Sequence, residues 1–162
     1  MLEVLKVINQ IASVSCRNEK EEILRMNSDN HLLLEVLKFV YDPFILTGLS
    51  TKKISKDTYL SHSVELNTVE EVMQYLKKNS TGKDIDIANI HHFIYRHDKE
   101  LQEFFKQVFT KGLKIGLTSS TLNKIYGKGF IKEFNVMLAK KFEDNKHKIN
   151  SWETMTDRLK ED

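Results

Sequence analysis

Residues 98–127 read DKELQEFFKQVFTKGLKIGLTSSTLNKIYG. Phe104, Phe105 and Phe109 fall, with Phe93 upstream, at helical spacing and read as core side chains, not as platforms for stacked bases. Asp98 stands where a helix cap accepts from free N–H groups. Gly112 is placed to end this first helix, because glycine adopts the left-handed conformation that closes many helices. LKIGLT, residues 113–118, is read as a short turn carrying Gly116. SSTLNKIYG then starts a second helix at Thr118 or Ser119 and stops it at Gly127. Helix, turn and helix in thirty residues commit this stretch to an α fold.

The same period extends outward. Leu2, Leu5, Ile8 and Ile11 lie on one face of a first helix. Asn18 is expected to cap a second that runs to Met26, with Ile23 and Leu24 inward. HLLLEVLKFVY belongs to a third that starts near Ser28 or Asp29 and stops before Pro43, which disfavours helical geometry at Asp42. Thr68 and Glu71 have the spacing of a capping box ahead of EVMQYLKKN, closed by Gly82. A further helix is expected over roughly 85–96. Residues 43–67, rich in Ser, Thr and Lys, show no clean period and read as a long irregular insertion. No repeat or low-complexity tract interrupts the chain. The expected fold is an all-α helical bundle over residues 1–142, followed by a linker or helix over 143–162.

Composition narrows the class. One domain suits 162 residues. A single cysteine, Cys16, excludes an intrachain disulfide and fits a reducing compartment. The apolar N-terminal stretch carries Glu3 and Lys6, so it reads as an amphipathic helix and not as a signal peptide. No apolar run approaches the length of a membrane span, and a soluble, cytoplasmic monomer is expected. The net charge of +2 conceals an asymmetry. Residues 1–104 hold 13 Lys/Arg against 16 Asp/Glu, a balance of −3. Residues 105–141 hold eight Lys against Glu133 alone, a balance of +7, and residues 142–162 hold four basic against six acidic residues, −2. A local basic excess in a near-neutral chain is what a polyanion-binding face requires.

The chemistry of that face can be stated residue by residue. A helix that begins at Thr118 or Ser119 offers unpaired N–H groups and the positive end of its dipole. Thr118, Ser119, Ser120 and Thr121 add hydroxyls. Gly116 lets a phosphate approach the backbone without a Cβ in the way. Lys111, Lys114 and Lys124 surround the turn, and Lys128 follows it. This set suits phosphate. Asn123 is the one residue of the short helix able to read a base edge, so contact with a nucleic-acid backbone is favoured over base recognition. Lys52, Lys53 and Lys56 form a second, looser cluster in the irregular stretch.

The segment KGLKIGLTSSTLNKIYGKGFIKEFNVMLAKKF resembles the end of the N-terminal DNA-binding domain of phage-type ATP-dependent DNA ligases. The resemblance rests on Leu113, Gly116 and Thr118 in a Leu-x-x-Gly-x-Ser/Thr turn, on Asn123-Lys124, and on Met137-Leu138-Ala139. The N-terminus is similar as well: a first helix ending Ile-Ala-Ser, a lysine-containing helix ending Asn-x-Asp-Asn, then a leucine-rich helix. It covers roughly residues 1–42 and 98–142, and not the middle. It implies a helical domain lying on duplex DNA across a nick, with sequence-independent contacts to phosphate and sugar in the minor groove. It also implies ATP and Mg²⁺ for a complete ligase, whose adenylation domain carries a Lys-x-Asp-Gly nucleophile, and a host cytoplasmic location if the chain is phage-encoded.

No complete Lys-x-Asp-Gly occurs here; Lys160-Glu161-Asp162 is the nearest approach and reads better as the end of a polar helix. No catalytic residue, resident cofactor or metal ligand is therefore expected in this chain. His91, His92 and His97 lack metal-ligand spacing and read as surface or capping residues. The expected partner is duplex DNA, nicked as the resemblance to a ligase implies, with replication proteins as further candidates. The alternative is a free-standing DNA-binding, regulatory or adaptor protein with a ligase-like fold.

Overall fold

The computed structural model describes residues 1–56 and 60–133. The expectations for Met137–Ala139, for 143–162 and for Lys160 lie outside the described residues. Eight helices and no strand are present among the described residues: α1 (Leu2–Ser13), α2 (Arg17–Met26), α3 (His31–Tyr41), α4 (Thr51–Ile54), α5 (Val69–Lys78), α6 (Asp84–Ile94), α7 (Lys99–Phe109) and α8 (Ser119–Tyr126). The all-α bundle is as the periodicity predicts.

The buried faces follow the sequence pattern. Val4, Leu5, Ile8 and Ile11 of α1 are buried, as are Leu33, Val36, Leu37, Phe39 and Val40 of α3. α7 is central and packs against α1, α3, α4 and α6. Its Phe105 ring stacks on Phe109 at 5.7 Å and meets Phe93 of α6 edge-on at 5.0 Å, so these aromatics are core. Each such side chain contributes about 1.5–3 kcal/mol by leaving water.

Several helix ends differ from expectation. α2 begins two residues earlier, with Cys16 as an N-cap that makes no side-chain cap bond, so Asn18 falls inside the first turn. Ser28 and Asp29 are consumed in the turn between helices, where Ser28 N–H donates to Arg25, and Asn30 caps α3 by accepting from Leu33 N–H at 3.0 Å. Asp98 flanks α7 without a side-chain cap bond. The capping box is present: Thr68 Oγ1 accepts from Glu71 N–H at 3.2 Å while the Glu71 carboxylate accepts from Thr68 N–H at 3.3 Å.

The irregular stretch contains α4 and is fastened at several points. Gly48 and Gly82 both have positive φ and press backbone to backbone; a Cβ on Gly48 would stand 2.0 Å from the Ser80 carbonyl oxygen. His91 is buried, not on the surface, and its Nε2 lies 2.7 Å from the Ile54 carbonyl oxygen at the end of α4. Buried Asn89 accepts from Ser63 and Val64 N–H at 2.7 and 3.2 Å and donates to Tyr75 Oη, which itself donates to Asp86 at 2.7 Å. Burial and the adjoining Asp86 carboxylate hold the Tyr75 phenol above its ordinary range.

Candidate nucleic-acid interface

α7 closes with paired bonds: Lys111 N–H donates to Val108 at 3.0 Å and Gly112 N–H to Gln107 at 2.8 Å. This is a Schellman ending, but the left-handed position is Lys111, at φ 56°, and not Gly112. Such a φ costs a residue with a Cβ about 1–2 kcal/mol. The side chain offsets it, because Lys111 Nζ donates to the Asp42 carbonyl and, at 2.8 Å, to the Ile45 carbonyl. Lys111 thus ties the end of α7 to the end of α3. Its burial pulls the ammonium below its ordinary pKa.

From Leu113 the chain runs extended with alternating sides. Leu113, Ile115 and Leu117 are buried; Lys114, Gly116 and Thr118 face out. The "turn" of the sequence reading is therefore a short strip anchored by three apolar residues, with a bend at Gly116, whose φ is 66°. Lys114 is exposed at one end of a groove of about 380 Å³ between α1 and α7, which Glu100 and Glu103 also line.

Thr118 is the N-cap of α8, accepting from Thr121 N–H at 3.2 Å. The N–H groups of Ser119 and Ser120 belong to the first turn and have no acceptor in the helix's own ladder. Ser120 is exposed and Ser119 half-buried. On α8 itself Asn123 and Lys124 are engaged within the chain, although the Lys124 side chain stays 57% exposed. Asn123 donates to the Ile131 carbonyl at 3.0 Å and to Glu133 at 2.8 Å, and accepts from Ile131 N–H at 2.7 Å. Lys124 donates to both Glu21 carboxylate oxygens, at 2.7 and 3.1 Å. Lys128, past Gly127, is exposed.

The nine residues picked out by sequence thus separate by partner. Lys111, Asn123 and Lys124 bind within the chain, while Lys114, Gly116, Ser119 and Ser120 on the N-terminal side of α8 and Lys128 past its C-terminal end present unengaged groups. Sequence reasoning passed over α2, which packs on α8. Glu21 there is buried and gathers Arg17 at 3.1 Å, Arg25 at 3.4 Å and Lys124. The hydrogen bond from Lys124, aided by Arg17, holds the Glu21 carboxyl below its ordinary range against the opposing effect of burial. The i, i+4 spacing of Arg17, Glu21 and Arg25 was the available signal.

His62, His91 and His92 line one pocket, the His62 and His92 rings stacked at 3.6 Å, while His97 faces the Phe93 carbonyl at 2.9 Å. Among the described residues no group of three or more His, Cys, Asp or Glu is placed to hold a metal ion, and no helix is long and apolar enough to cross a membrane.

No protein-family model matches the sequence. Over 148 residues, 87% of the chain, it is 28% identical to a DNA ligase of Enterobacteria phage T4, and to the same extent to a DNA ligase of Enterobacteria phage T6. The chain spans 29% of the length of these two relatives.

Proposed function

We propose that this chain is a ligase-related helical module that seats duplex DNA by its phosphate and sugar backbone, preferring a nicked duplex, in the manner of a ligase N-terminal DNA-binding domain. The observation that carries the reading is the similarity, over most of the chain, to part of two phage DNA ligases. The chemistry of the 113–128 face supports it. Lys114 and Lys128 supply charge, Ser119 and Ser120 supply hydroxyls at a helix start, and Gly116 leaves the backbone bare. Asn123 is engaged with Ile131, so the face offers no free side-chain amide for base edges. Phosphate contacts carry no base identity, and binding is accordingly independent of sequence. In this reading Lys111, Asn123 and Lys124 hold the frame while Lys114, Gly116, Thr118, Ser119, Ser120 and Lys128 meet the DNA.

The chain acts as a monomer, with replication proteins as further partners. ATP and Mg²⁺ enter only for a complete ligase, through a separate adenylation domain; this chain is expected to take no covalent AMP from labelled ATP. The deciding experiment is a fluorescence-anisotropy titration of the purified chain against nicked and intact duplexes of two unrelated sequences. The reading expects binding to both sequences, tighter for the nicked form. Absence of binding at about 50 mM salt, where phosphate contacts are strongest, would end it.

A further inference from the structure

Lys20 is a lysine of α2 that is only 8% exposed. Its Nζ donates to the Ile115 carbonyl at 2.6 Å. Among the described residues no carboxylate comes within ion-pair distance of it; the neighbouring Glu21 carboxylate turns to Arg17, Arg25 and Lys124. An ammonium has three donors and one positive charge, and a single neutral carbonyl answers one donor and none of the charge. A buried cation without a counter-ion is costly, and an arriving anion offsets that cost.

Its position beside Gly116 says from where such an anion can come. Gly116 is exposed, yet a Cβ built on it would stand 3.0 Å from Lys20 Nζ. The missing side chain is therefore a window in the surface, with the ammonium directly behind it. Two residues further on, Thr118 caps α8 and the first free N–H groups of that helix follow.

We infer that Lys20 is a concealed phosphate ligand, reached through the gap at Gly116, and that a DNA phosphate seated there supplies its counter-ion. The inference rests on the proposed binding of duplex DNA and adds a residue that lysine clustering along residues 105–141 does not reveal. Lys20 also positions the strip by fixing the Ile115 carbonyl, so its test needs a reading that a purely structural role leaves unmoved. The salt dependence of binding is such a reading, because each phosphate neutralised contributes about 0.9 to the slope of log K against log salt.

The experiment compares the full chain with Lys20→Met and Gly116→Ala on one intact duplex between 50 and 200 mM salt. Lys20→Met is expected to flatten the slope by about 0.9, a change of about 3.5-fold in the affinity ratio across that range. Gly116→Ala removes no charge, yet is expected to flatten the slope by a similar amount, since its Cβ closes the window. If both variants keep the parent slope, Lys20 is a positioning residue only, and the inference fails while the duplex reading stands. If the parent binds no duplex at 50 mM salt, the reading fails and takes the inference with it. Should Lys20→Met lose its cooperative melting transition, Gly116→Ala decides alone, and an unchanged slope there overturns the proposal.

Discussion

Two stretches link the longer helices of the bundle, and they differ in what their apolar side chains and glycines face. Within residues 43–56 and 60–67 several backbone groups are answered by side chains of the chain: Lys53 Nζ donates to the Gly48 carbonyl, Asn89 takes two N–H groups of this stretch, and Arg96 donates to the Leu66 carbonyl. What faces out includes Leu46, Leu60 and Val64. Residues 111–128 bury Leu113, Ile115 and Leu117 and leave Lys114, Lys128 and the hydroxyls of the α8 start outside, while Lys111 and Lys124 are engaged within the chain. The glycines divide likewise. Gly48 and Gly82 exist so that two backbones can touch, whereas Gly116 faces one lysine side chain. A lysine count does not separate the stretches; what their apolar side chains and glycines face does.

The largest expected effect breaks the fastening of the first stretch. Gly48→Ala forces a Cβ into the Ser80 carbonyl and Gly82 N, and is expected to destabilise by about 3 kcal/mol or more, a fall in Tm of about 10 °C. Gly116→Ala, meeting only a flexible ammonium, is expected to cost about 1–2 kcal/mol, chiefly from its positive φ. Equal melting losses for the two would erase the distinction between them.

Lys111→Met comes next. Losing both carbonyl bonds is expected to cost about 1–3 kcal/mol in urea unfolding, while the salt slope of DNA binding stays at the parent value. A slope that falls with Lys111→Met would return that residue to the DNA surface.

Glu21→Gln is a pH-gated effect. The folded carboxyl lies below its ordinary value of 4.5, so the unfolded chain takes up the proton first on acidification. The stabilisation by Glu21 is therefore whole above that ordinary value and is lost as pH falls through the lower folded one. Urea midpoints of parent and variant should differ most near neutrality and converge in acid. A gap that is constant with pH would mean that the charge of Glu21 is not what matters.

Much of this was legible in advance. Helical period and the Thr68–Glu71 box specify themselves locally, so seven of the eight described helices and the α7–turn–α8 order could be read from spacing, whereas α4 lies in the stretch read as irregular. What was hidden depends on residues far apart in the chain. Lys20 meets Ile115 across 95 positions and Lys124 meets Glu21 across 103. No local pattern reports that Lys111 and Lys124 are engaged internally, or that Lys20 lies behind Gly116. The Gly48–Gly82 contact was invisible for the same reason. Helix starts were misplaced where side chains competed: Asn18, Ser28, Asp29 and Asn30 are all plausible caps, and tertiary packing chose between them.

The smallest change in stability carries the most direct test. Lys114→Ala/Lys128→Ala removes two exposed lysines from the second stretch, and Lys52→Ala/Lys56→Ala removes two from the first; each pair is expected to shift stability by no more than about 0.5 kcal/mol per site. The measurement is the slope of log K against log salt for duplex binding by parent and both double variants. The account predicts a slope flattened by about 1.8 for Lys114→Ala/Lys128→Ala and unchanged for Lys52→Ala/Lys56→Ala. A flattened slope for the second pair with the first unaffected would contradict it and move the DNA to the other side of the comparison.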